Sequence, residues 1–110
     1  MEKAAKNLQI RKMQRDVLVQ KLKTLRPDLS VEGVTHVALF GSRARGDYSE
    51  QSDLDLLLEV DLASRFSILN LVGVERIVEK ATGIPANAFM RRSLDDSFRD
   101  SIKNDVVEIF

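Results

Sequence analysis

With 110 residues and no cysteine, the chain is sized for one domain around a single core, and disulfides, thiolate metal sites and a cysteine nucleophile are excluded. Apolar residues make up 44% and charged residues 31%, a balance suited to a folded rather than a disordered chain. Seventeen basic and seventeen acidic side chains leave no formal net charge, which disfavours polymeric nucleic acid as the main ligand, because tracking a phosphate backbone calls for a basic surplus.

The opening residues, Met1-Glu2-Lys3-Ala4-Ala5-Lys6-Asn7, hold no apolar stretch of the signal-peptide kind, and no run is long enough to span a bilayer. A cytoplasmic protein with no membrane partner is the expectation. From about Lys3 to Leu25 the spacing predicts a helix: Leu18, Leu22 and Leu25 follow an i, i+4, i+7 course, with Ile10, Met13 and Val17 as a neighbouring row. Its lysines and arginines read as a solvated face, since Glu2 and Asp16 are interspersed and no aromatic offers stacking. Pro27 opens a short helical piece through Leu29 and Val31, which Gly33 ends.

Val34 to Phe40 is apolar and β-branched enough to predict a buried strand; the single histidine, His36, sits inside it and reads as structural. Next come a turn, Gly41-Ser42-Arg43-Ala44-Arg45-Gly46, and a polar loop from Asp47 to Ser52. A second strand opens with Asp53-Leu54-Asp55 and runs to Val60. Phe66 to Ala81 predicts a long helix with Phe66, Leu69, Val72, Ile77, Val78 and Ala81 on its apolar side, ended by Thr82-Gly83-Ile84-Pro85. Ala86 to Met90 is a third strand. Ser93 to Asp96 fits an N-cap pattern for a last helix carrying Leu94, Phe98, Ile102 and Val106, after which Val107 to Phe110 forms an edge strand or covers the core. The order of elements predicts an α/β (α+β) domain over residues 1–110, with a small mixed β-sheet packed with helices.

Chemistry concentrates between the first two strands. Gly41 has no Cβ, so the backbone there can bend sharply and approach a phosphate closely. Ser42 adds a hydroxyl to the N–H groups of the turn, and Arg43 and Arg45 bring forks that match phosphate oxygens or a nearby acid. Asp53 and Asp55 lie two apart on a strand, so both side chains leave one face, and paired carboxylates suit a Mg²⁺ that also holds substrate phosphates.

The ordered set Gly41-Ser42, Arg45-Gly46 and Ser52-Asp53-Leu54-Asp55, framed by two strands, resembles the signature of the minimal nucleotidyltransferases of the DNA polymerase β superfamily. The resemblance runs from about Asp16 to the C-terminus. It implies a nucleotidyltransferase fold, with Asp53 and Asp55 as metal ligands and Gly41, Ser42, Arg45 and Ser52 around the triphosphate of ATP or another nucleotide. It also implies Mg²⁺-dependent transfer of AMP to a hydroxyl, and a helical HEPN-domain protein as partner in a toxin–antitoxin pair.

The superfamily's third carboxylate falls, by its neighbours, in Ala86-Asn87-Ala88-Phe89, so Asn87 occupies its position. A neutral amide is a poor base and a weaker metal ligand. Glu59 is no substitute, because four residues along the strand put it about 13 Å from Asp55. Asp95 and Asp96 fit a helix cap better than a ligand set. The two-metal site is therefore expected to be incomplete, and the alternative function is a weakened nucleotide-binding or purely steric antitoxin module.

Overall fold

The computed structural model describes residues 14–110. The start of the expected first helix, with Ile10 and Met13, lies outside them. Helix α1 occupies residues 14–24, and α2 (Arg26–Val31) follows with Pro27 in its first turn. Strand β1 (Val34–Phe40), the single helical turn α3 (Ser42–Arg45), strand β2 (Leu54–Val60) and helix α4 (Ile68–Thr82) come next. Strand β3 (Ala86–Met90), a 3₁₀ turn (Arg91–Ser93), helix α5 (Asp96–Ile102) and strand β4 (Val107–Glu108) complete the chain. No helix among the described residues is long and apolar enough to cross a membrane.

The four strands form one mixed sheet in the order β3-β2-β1-β4. β1 runs antiparallel to β2, with Phe40 opposite Asp55, and antiparallel to β4. β3 runs parallel to β2, which requires a crossover; α4 supplies it. The sheet's inner face carries Val37, Leu39, Leu54, Leu56, Leu58, Ala86 and Ala88, packed with Leu22, Leu29, Val74 and Val78 from α1, α2 and α4. Ala38, Phe40 and Leu57 on the other face meet Ile102, with Leu94 and Val106 alongside. Among the described residues that outer face is covered only in part.

Four local expectations are corrected. Helix α4 begins at Ile68 rather than Phe66, because Asn70 Oδ1 accepts the Ser67 N–H at 3.0 Å and caps the start there. Its packed side carries Val74 and Val78, with Leu71 and Ile77 beside them, whereas Leu69 is 80% exposed and Val72 36%. Leu69 and Val78 are nine positions apart, which at about 100° each sets them on opposite sides of a helix. The cap of α5 is Asp95, whose Oδ1 accepts the Phe98 N–H at 2.7 Å, while Ser93 is absorbed by the 3₁₀ turn. Val17 belongs to no buried row; it is 67% exposed.

Candidate active site

The site is assembled where β1 ends and β2 and β3 begin. After Phe40 the chain turns through Gly41 at φ +77°, a left-handed value that disfavours any residue with a Cβ. A Cβ at Gly41 would also run into Asp55 Oδ2, so the glycine makes room for the carboxylate beside it. What was expected to be an open turn is the helical turn α3, closed by the Arg45 N–H bonding Gly41 O at 3.0 Å and the Gly46 N–H bonding Ser42 O at 2.8 Å. Ser42 is half-buried, and among the described residues its hydroxyl makes no hydrogen bond.

Asp55 is the second residue of β2 and stands beside Asn87 of β3 in the parallel register. Asp53 precedes the strand by one residue. The Asn87 amide donates to Asp53 Oδ2 at 3.1 Å, so the two aspartates and the asparagine meet at one end of the sheet. Burial raises the Asp55 carboxyl above its ordinary value; the Asn87 hydrogen bond opposes this, the Asp53 charge adds to it, and Arg45 opposes it.

The two arginines divide their tasks. Arg43 Nε donates to Ser52 O at 3.0 Å and Nη2 to the same oxygen at 2.9 Å, while its guanidinium lies 4.5 Å from the Tyr48 ring centroid. It braces the loop between α3 and β2. That loop is also tied to α1, since the Tyr48 hydroxyl donates to Gln14. Ser52 Oγ accepts the Ser49 N–H at 2.9 Å and so closes the same loop. Arg45 pairs with Asp47 at 3.2 Å and Asp105 at 3.6 Å. The hydrogen bond that Arg45 Nε donates to Asp47, set against some desolvation, raises its pKa from an already high value, so Arg45 remains a cation beside the carboxylates.

Glu59 is outside this cluster, paired with Arg91 at 3.2 Å, and the exposed His36 lies 3.9 Å from it. Two residues that sequence reasoning passed over do bear on the site. Glu75 and Glu79 of α4 accept the Ala88 and Ala86 N–H groups at 2.9 and 3.0 Å. These N–H groups point away from β2 on either side of Asn87, so the helix fixes the strand that presents the amide. Glutamates at i and i+4 were visible in the sequence, but nothing there indicates which strand lies beneath them. Among the described residues no three His, Cys, Asp or Glu side chains converge to hold a metal, as follows from Asn87 standing beside only two acids.

The family model described as nucleotidyltransferase domain matches residues 15–109. The protein adenylyltransferase MntA of Thermococcus cleftensis is 31% identical over 77 residues, which cover 70% of this chain and 76% of that protein. A chain from a crystal structure of a toxin–antitoxin with AMP-PNP superposes with a TM-score of 0.67 at 16% identity, covering 84% of this chain and 72% of the other. A chain from the tri-AMPylated Shewanella oneidensis HEPN toxin in complex with MNT antitoxin gives 0.62 at 14% identity, covering 87% and 71%. At such identities the structures speak to the shared fold.

Proposed function

The chain belongs to the nucleotidyltransferase domain family, and from that premise we propose that it transfers AMP from ATP to a hydroxyl of a partner protein, acting in the cytoplasm as the antitoxin of a HEPN/MNT pair. The observation that supports this reading is the meeting of Gly41, Asp55, Asp53 and Asn87 at one end of the sheet. The names of the relatives, an adenylyltransferase and an AMPylated toxin complex, point the same way.

The donor set fits a hard divalent cation: two carboxylates on adjacent positions of one face, one of them carrying an unfavourable charge that a cation would relieve. Asp53 and Asp55 would hold Mg²⁺, which supplies neutralisation of the triphosphate. Gly41 and Ser42 would receive the phosphates at the α3 turn, and Arg45 would set a positive charge beside them, with Ser52 keeping the loop closed over the site. The acceptor oxygen forms a bond to the α-phosphorus, the bond to the bridging oxygen breaks, and pyrophosphate leaves. The acceptor's proton passes to solvent or to the aspartate pair. Asn87 offers no base, so its part is to orient Asp53 through the amide hydrogen bond.

Asn87 also supports a second reading, a module that binds its partner without transfer. Calorimetry with ATP, with and without Mg²⁺, should show metal-dependent binding that disappears in Asp53→Ala/Asp55→Ala. Labelled ATP should then mark the partner protein. Metal-independent binding equal in the double variant, with no label transferred while the partner is still neutralised, selects the second reading.

A further inference from the structure

A hollow on the described surface stands apart from the carboxylates. It measures about 730 Å³ and lies on the same outer sheet face, toward the other end of β2, between the sheet, the 3₁₀ turn and α5. β2 joins the two places: Asp55, Leu57 and Glu59 alternate onto one face, the first in the carboxylate cluster and the others in the hollow. Glu59 lies about 13 Å from Asp55 at the rise of a strand. Between them, Phe89 pairs in register with Leu57 and is 39% exposed, and Phe98 is 40% exposed, both edge-on to Phe40. An aromatic strip thus connects the hollow to the site.

The hollow has an apolar floor, with Leu57 and Ile102 almost fully buried, and a cationic rim. Arg91, Arg92, Arg99 and Lys103 line it against only Glu59 and Glu108 among the acids. Both acids are taken by one side chain, since Arg91 reaches Glu59 at 3.2 Å and Glu108 at 2.9 Å. Arg99 donates to Arg91 O at 2.8 Å and holds the turn in place. Among the described residues Arg92 and Lys103 have no ion-pair partner, and both are exposed. A local positive surplus over an apolar floor, on a chain of zero net charge, is complementary to an acidic segment with large apolar side chains.

We propose that this groove seats such an acidic, amphipathic segment of the protein acceptor and so brings the acceptor hydroxyl along the aromatic strip to the carboxylates. The proposal rests on the adenylyl-transfer reading. It assigns Arg92 and Lys103 to acceptor recognition and leaves nucleotide binding to the other end of the sheet.

The test is Arg92→Glu/Lys103→Glu, with Arg92→Lys/Lys103→Arg as the charge-preserving control. Three quantities are measured: Mg-ATP binding by calorimetry, KM and kcat for labelling of the native partner, and anisotropy of a fluorescein-labelled peptide of Glu-Leu repeats. Reversal should raise KM for the acceptor about tenfold at low salt with little change in kcat or Mg-ATP affinity, and weaken the peptide by a similar factor. The control should behave as the parent. Unchanged acceptor KM and unchanged peptide binding overturn the proposal, as does displacement of the peptide by octanoate without effect on labelling, which assigns the hollow to a small apolar acid. If no variant labels any acceptor, the transfer reading has failed, and the anisotropy alone still decides whether the groove takes an acidic segment.

Discussion

Asn87 donates a hydrogen bond to Asp53 where a third acid would repel it. Asn87→Asp should therefore lower the melting temperature in EDTA at neutral pH, and Mg²⁺ should restore most of the loss. With metal present the new carboxylate can accept the acceptor's proton, a role worth about a hundredfold or more in rate, so AMP transfer should rise. A native protein that labels faster than the variant would make the amide a working part of the reaction. Asp55 gives the pH prediction. Its pKa is raised in the fold, chiefly by burial, so the folded state holds a proton that the unfolded chain has already released, and stability falls as pH rises through that window. Asp55→Asn removes the penalty: thermal melts of the metal-free protein should show a gain at neutral pH that vanishes on acidification below the carboxylate range. Gly41→Ala should cost about 1–3 kcal/mol from a backbone conformation open essentially to glycine alone, and more because its methyl group meets Asp55.

β3 is an edge strand whose outward N–H groups would otherwise face solvent or another chain. Glu75 and Glu79 occupy two of them from α4, which both blunts the edge and sets the register that places Asn87 next to Asp55. Hydrogen bonds to charged groups contribute about 1.5–3 kcal/mol, discounted here because both sites are only partly buried. Glu75→Ala/Glu79→Ala should lower the urea midpoint, and the Ala86 and Ala88 amides should lose exchange protection ahead of β1 and the rest of the sheet. Uniform loss of protection would mean that the glutamates support only global stability. On the inner face, Leu56 is fully buried, and Leu56→Ala should cost about 2–5 kcal/mol by urea titration.

The two faces of the sheet serve different ends. Helices close the inner face into the larger core, and that rigid base supports the strand ends from which Asp53, Asp55 and Asn87 project. Among the described residues the outer face is covered by α5 and its neighbours, with the hollow along one end and the carboxylates at the other. If the basic groove seats the acceptor as proposed, association should be salt-sensitive on a chain of zero net charge while the fold is not. Raising ionic strength should weaken acceptor labelling through KM and leave the melting temperature nearly unchanged.

The positions of β1, β2 and β3 were legible in the sequence because Val34–Phe40, Leu54–Val60 and Ala86–Met90 are short, mostly apolar segments bounded by turn residues. Asp53 and Asp55 were legible as a pair because strand parity brings side chains two apart to one face, and Gly41 because a sharp turn favours a residue without a Cβ. Asn87 was placed only through the resemblance to the nucleotidyltransferases. Long-range pairing was not legible. Which side of α4 is buried depends on where the sheet lies, and the sequence offered apolar residues on both sides, so Leu69 and Val72 were misplaced. The commitment of Arg43 to a loop carbonyl, the reach of Asp105 to Arg45 and the grip of Glu75 and Glu79 on β3 join residues far apart in the sequence or on different elements. Charge and polarity are local properties of a chain, but the partner that satisfies each charge is chosen by the packing that brings distant segments together.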